Sequence, residues 1–233
     1  RKVTVVINDA GTAYGEEIAF NGWTYGEGSA EFIGGSAPVY LSSSVNKASG
    51  VGTYEITGVY AGSDNSYEVT FVNGTYTVSK AVVNVPEILG KVYTGGLLKA
   101  DVTDTAVYRV YQNDGGINVG YYKVILEILD YDNYKWQVNG TDIRSANYTV
   151  MFEIIRAVNV FETEFAVRSI KAGEAISITE PAAKFGAAVV EYYKDAACTG
   201  DKVDVTGNRW NDVEGTYYAK VYVAGTDNYE GLE

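Results

Sequence analysis

A short pattern returns three times along this chain, and repetition at this spacing means small stacked units rather than one large core. Gly52-Thr53-Tyr54, Gly120-Tyr121-Tyr122 and Gly215-Thr216-Tyr217 each open a strand-like run. Each is followed by an Asn-Tyr element: Asn65-Ser66-Tyr67, Asn133-Tyr134 and Asn228-Tyr229. From glycine to second tyrosine the separations are 15, 14 and 14 residues. A shorter echo lies upstream at Tyr14-Gly15, Tyr93-Thr94-Gly95 and Phe185-Gly186. The first two copies also carry Val-Asn-Gly-Thr, at 72–75 and 138–141, and close on an aromatic run ending in Lys80-Ala81 and Arg156-Ala157. These marks divide the chain into blocks 1–80, 81–156 and 157–233. By the pattern of the other two, the third is truncated at its C-terminal strand.

Alternation gives the local structure. Tyr54 and Ile56 share one face of the first run; Tyr122, Val124, Leu126 and Ile128 share one face of the second; Tyr217, Ala219, Val221 and Val223 share one face of the third. Glu55, Lys123, Glu127 and Lys220 fall on the opposite faces, the signature of half-buried strands. Asn73-Gly74 and Asn139-Gly140 lie between β-rich runs and supply the two positive-φ positions that a type I′ hairpin requires. A helical period is weak everywhere; the best stretch, 181–198, is interrupted by Gly186 and the β-branched pair Val189-Val190. The fold class expected is all-β: tandem small antiparallel β domains, β-grasp-like or Ig-like sandwiches, in an elongated rod. The junctions 75–85 and 148–160 hold no cluster of Gly, Pro and Ser, so a closing strand should feed directly into the next opening strand. Strands of this length give each block a span of roughly 30 to 40 Å.

Composition removes much chemistry. The chain of 233 residues has no histidine, which excludes the Ser-His-Asp and Cys-His constellations and the commonest metal ligand. A single cysteine, Cys198, excludes an internal disulfide and thiolate clusters. A net charge of −12 repels phosphate backbones, so nucleic acid is not an expected partner. No apolar run reaches the roughly 18 to 20 residues that span a bilayer, so no membrane insertion is expected in this segment. Tyrosine is the anomaly, 21 residues against 7 Phe and 3 Trp, and tyrosine suits thin β domains that bury a ring while keeping its hydroxyl wet. Arg1 is not an initiator methionine and opens no signal peptide, so the chain reads as an internal piece of a longer protein.

Three chemistries remain to be weighed. The 30 carboxylates bring some pairs close, yet acids such as Glu55, Asp101, Asp104, Glu127 and Asp212 fall on outer faces or turns, and no catalytic residue is assigned. Asp130, Asp132 and Asn133 cluster in a turn that could contribute to calcium binding, with looser analogues at Asp64-Asn65 and Asp227-Asn228. Asp and Asn also make turns through their own backbone bonds, and that reading is preferred; no cofactor is expected. Outer-face Tyr121, Tyr218 and Tyr222 are the candidates for stacking on a sugar, whereas Trp23, Trp136 and Trp210 read as core or rim packing. The sequons at Asn73, Asn139 and Asn147 read as turn and strand chemistry.

The first block, with Val3-Thr4-Val5, Tyr14-Gly15, the run Val51 to Thr57, Asn65 to Tyr67 and Phe71 to Val78, resembles the MBG ("mostly β-grasp") repeat of bacterial surface proteins. The second and third resemble the related Tyr-Asp-Gly type and other Ig-like tandem repeats of Gram-positive cell-wall proteins. That resemblance implies an extracellular, cell-wall-attached or secreted protein whose repeats are a non-enzymatic stalk presenting a distal head. A host glycan or protein would then be met through regions outside this segment, and the segment itself would be a monomer with contacts at the open edge of block three. Two other readings stand beside it: a carbohydrate- or host-protein-binding module using outer-face tyrosines, and accessory domains of a secreted polysaccharide-degrading enzyme.

Overall fold

The structure is a computed structural model and describes all residues except 34–37, 64–65, 170, 172–173, 175–176 and 204–213. Asp64, Asn65, Trp210 and Asp212, singled out above, lie outside the described residues. Every regular element among the described residues is a strand. The chain forms two compact units, one of residues 1–87, 103–111 and 125–148, the other of residues 88–102, 112–124 and 149–233.

Block one contributes β1 (Lys2–Ile7), β2 (Ala10–Ala13), β3 (Trp23–Tyr25), β4 (Val39–Ser43), β5 (Gly52–Tyr60), β6 (Glu68–Val72) and β7 (Gly74–Ser79). They make two sheets, ordered β3-β1-β6 and β2-β7-β5-β4. The pairings β1 with β6 and β2 with β7 are parallel, whereas β5 is antiparallel to both β4 and β7. Inward residues alternate along each strand: Val3, Val5 and Ile7 on β1 are buried with Thr4 and Val6 half-buried between them, and Gly74, Tyr76 and Val78 on β7 are buried between exposed neighbours. Ile7 meets Ile56, Tyr76 and Val78 in one core, with Phe71 and Tyr54 packed against it, so both sheets share it. Each such buried aliphatic chain contributes about 1.5–3 kcal/mol relative to exposure.

Block two repeats this plan with β8 (Ala81–Asn84), β9 (Lys91–Val92), β10 (Tyr108–Asn113), β11 (Gly120–Ile128), β12 (Tyr134–Val138), β13 (Thr141–Ile143) and β14 (Asn147–Ile155). The order β10-β11-β14-β9 matches β4-β5-β7-β2, and β8 lies parallel to β12 as β1 does to β6. The edge strand differs, because β13 pairs with β12, whereas β3 pairs with β1. On β11 the expected inner face is the buried one, with Val124, Leu126 and Ile128 at 1%, 0% and 3% exposure.

Block three contributes β15 (Phe161–Thr163), β16 (Ala166–Val167), β17 (Ile178–Thr179), β18 (Ala182–Ala183), β19 (Val189–Tyr193) and β20 (Tyr218–Tyr222). The pairs β15-β18, β16-β17 and β19-β20 are antiparallel, and Ala157 bridges Tyr229 in parallel. The stretch with the best helical period thus holds β18 and β19, separated at Gly186, whose φ is +77°.

One expectation is corrected. Asn139 and Gly140 adopt φ of 48° and 78° and join antiparallel β12 and β13, as a type I′ turn should. Asn73-Gly74 makes no hairpin: β6 belongs to one sheet and β7 to the other, and the chain crosses between them there. Gly74 is needed for room instead, since a Cβ on it would lie 2.8 Å from the Ile7 carbonyl oxygen and 3.0 Å from that of Asn8. The Asn73 side chain donates to Glu55 Oε1 at 2.7 Å.

Candidate functional site

The repeated residues gather where one block's closing strand becomes the next block's opening strand. At the first such place, within the first unit, the Val51 amide donates to Asn133 Oδ1 at 2.9 Å. The Ala81 amide donates to the Asn133 carbonyl at 2.9 Å, and Asn133 Nδ2 donates to Asp130 Oδ2 at 2.8 Å, which fixes the amide's orientation. Tyr14 meets Tyr134 edge-on, ring centres 5.4 Å apart. Lys80 places its ammonium 3.7 Å over the Tyr131 ring and donates to the Tyr131 carbonyl. The Tyr54 hydroxyl donates to the Gly50 carbonyl at 2.8 Å and so holds the loop that presents the Val51 amide.

The second unit contains the same device. The Val119 amide donates to Asn228 Oδ1 at 2.8 Å, and the Ala157 amide to the Asn228 carbonyl at 2.9 Å. The Tyr122 hydroxyl donates to the Asn118 carbonyl at 2.7 Å. Tyr93 stands 6.3 Å from Tyr229, and Arg156 Nη2 donates to the Tyr229 carbonyl at 3.0 Å. In both junctions the residue before the strand-opening glycine supplies the donor, the tyrosine two after it braces the loop, and the Asn-Tyr pair accepts and packs. Block one opens alike, with the Arg1 amino group donating to Ser66 O. Ser66 is thus the counterpart of Asn133 and Asn228, and the one-residue excess in the first spacing lies between Gly52 and Ser66.

A second feature lies on one face of the β19-β20 pair. Register places Glu191 opposite Lys220, Tyr193 opposite Tyr218 and Val189 opposite Tyr222. Glu191 accepts from Lys202 Nζ at 2.5 Å, the Tyr193 hydroxyl at 2.8 Å and the Tyr222 hydroxyl at 3.2 Å. Lys220 pairs with Glu233. Together these groups line an open hollow of about 570 Å³. The Lys202 bond, then the Tyr193 hydroxyl, hold the Glu191 carboxyl below its ordinary value of 4.5, while the same bond raises Lys202 above 10.5. A depressed carboxyl stabilises the fold above its unfolded value and loses that contribution as pH falls through the folded one; a raised ammonium loses its contribution as pH rises through its own folded value. Melting temperature is accordingly expected to be flat across the neutral range and to fall below about pH 4.5. In Glu191→Gln the acid-side fall should be shallower; an unchanged profile would remove Glu191 from the cause.

The sequence-derived candidates fare differently. Tyr218 and Tyr222 share the face of the hollow, Tyr222 lining it. Tyr121 stands apart on β11, 66% exposed, with Glu153 hydrogen-bonded to its hydroxyl and raising its pKa. Asp130 and Asn133 are engaged in turn and junction bonds, with Asp132 exposed beside them. Among the described residues no group of three or more acids or cysteines is arranged to hold a metal ion. Phe185 does not stand where Tyr14 and Tyr93 do: it lies 5.2 Å from Tyr93 and 5.7 Å from Tyr229, joining the second junction from the other side. Cys198 is half-buried in a turn, φ +52°, built on Asp195, which takes the Thr199 and Gly200 amides. Sequence reasoning overlooked Glu191, Lys202 and Lys220. Charge alternating with tyrosine on one face of the last strand was the available signal.

Compared with known protein families and with curated proteins, the chain matches none.

Proposed function

We propose that this chain is a non-enzymatic spacer, a tandem β-domain segment of a bacterial surface protein that holds a distal head away from the cell wall. The observation that carries this reading is the junction built twice from the same repeat residues, Val51 with Asn133 and Val119 with Asn228. A chain that rebuilds the same docking bonds in successive copies is organised around its joints. The finer expectations belong to this reading: Ig-like or β-grasp-like domains in a rod, exported and attached outside the cell, and monomeric along its length. A joint fixed by a side-chain amide, a ring pair and a cation resists bending better than a Gly-Ser tether, which behaves as a random coil.

Small-angle scattering on the intact chain tests it. The wild type should fit a narrow range of block-to-block angles, and Asn133→Ala combined with Asn228→Ala should broaden that range. Each substitution should cost only about 1 kcal/mol in melting experiments, the net worth of one partly solvated hydrogen bond. A broad distribution in the wild type would overturn the stiff-spacer reading.

A further inference from the structure

We propose that the hollow on the outer face of β19 and β20 is a binding site for a neutral saccharide, a function independent of the spacer reading. Its volume of about 570 Å³ leaves room for a ligand lying along an open surface. Its chemistry is organised before any ligand arrives. Glu191 is held by three donors, Lys202, Tyr193 and Tyr222, and its side chain is 18% exposed, so one edge of the carboxylate faces the hollow in a fixed orientation. Lys220 and Glu233 provide a second acid and ammonium pair at the rim.

The charge pattern selects the ligand class. Among the described residues the charged side chains of the lining are already paired, Glu191 with Lys202 and Glu233 with Lys220, so a charged ligand would have to displace one of these partners. A net charge of −12 on the whole chain adds to the penalty for an anion. A sugar hydroxyl both donates and accepts, and so satisfies carboxylates and ammonium groups alike without a charge conflict. Tyr222 and the 37%-exposed Tyr218 supply ring surface with a polar rim on the same face, suited to a sugar's apolar side. The equivalent antiparallel pairing in block one, β4 with β5, sets Tyr40 opposite Val59 and Ser42 opposite Thr57, with no acid and base facing each other. In block two the corresponding pair, β10 with β11, carries the ion pair Arg109–Glu127 at 2.5 Å, so what sets the third block apart is the three donors that converge on Glu191.

Two-dimensional amide NMR of the full chain reads binding directly. The probes are cellohexaose, xylohexaose, mannohexaose and chitohexaose, with oligogalacturonate as the charged comparison. Each is titrated to about 10 mM, tenfold above a dissociation constant of about 1 mM. At least one neutral probe should move the amides of Val189–Tyr193 and Tyr218–Tyr222 together. Glu191→Gln and Tyr222→Ala should each weaken that response at least about tenfold, and Tyr121→Ala should leave it unchanged. Tyr222→Phe, which removes only the hydroxyl, covers the case in which Tyr222→Ala fails to fold, and should also weaken it. No response from any neutral probe, a response only to oligogalacturonate, or shifts that persist undiminished in the Glu191 and Tyr222 variants would each overturn the proposal.

Discussion

Replacing Trp136 by alanine is expected to cost the first unit about 3–5 kcal/mol, a large part of the 5–15 kcal/mol that holds an ordinary domain folded. Trp136 is fully buried on β12, with β8 on one side and β13 on the other. Its ring lies 5.3 Å from that of Tyr108 and 6.4 Å from that of Tyr148. Its indole N–H donates to the Ala146 carbonyl at 2.8 Å, which also accepts from the Ile128 amide at 2.9 Å, so truncation opens a cavity and removes one of two donors to that carbonyl. Urea unfolding followed by circular dichroism should show the midpoint falling sharply. Trp136→Phe, which keeps most of the ring and loses the N–H, should lie between wild type and alanine. A loss under about 1 kcal/mol in the alanine variant would mean that the ring does not fill the core as described.

The second large effect separates two glycines that the sequence presents as equals. Gly74→Ala is expected to destabilise the chain by about 3 kcal/mol, near the upper range for overpacking, because the new methyl meets backbone oxygens of Ile7 and Asn8 that cannot swing aside. Gly140→Ala should cost only about 1 kcal/mol, the strain of an alanine at positive φ, because nothing lies within 4 Å of its Cβ position. Thermal melts of the two variants side by side give the comparison. Equal losses would mean that Asn73-Gly74 and Asn139-Gly140 do the same job after all.

That pair also shows how far the sequence could be read. Period-two alternation located β5 and β11 and their inner faces, because burial on one side of a strand writes itself into every second residue; on β20 burial does not alternate, since Ala219 to Tyr222 are all half-buried. The same four letters, Val-Asn-Gly-Thr, nonetheless serve a sheet crossing in block one and a hairpin in block two. Local turn chemistry permits both outcomes, and the strand that follows decides: β13 folds back on β12 in block two, whereas in block one the next strand, β7, belongs to the other sheet. The junction was half legible. Gly-x-Tyr and Asn-Tyr stood out as repeats, but their meaning lies in an amide at Val51 and a side chain at Asn133, 82 residues apart. The hollow was less legible still, since Glu191 and Lys220 come together only through the register of β19 with β20.

The parallel pairing of β2 with β7 and of β9 with β14 has a mechanical meaning. In each case a strand near the entry to a block runs alongside the strand that leads out of it, and a single residue, Lys80, separates β7 from β8. Tension on the two ends of such a block draws these neighbours past one another lengthwise. Their hydrogen bonds lie across the pull and are loaded together, so rupture requires several to fail at once rather than one after another as in unzipping. Tension on a block folded this way would meet shear resistance along the strands before any unzipping.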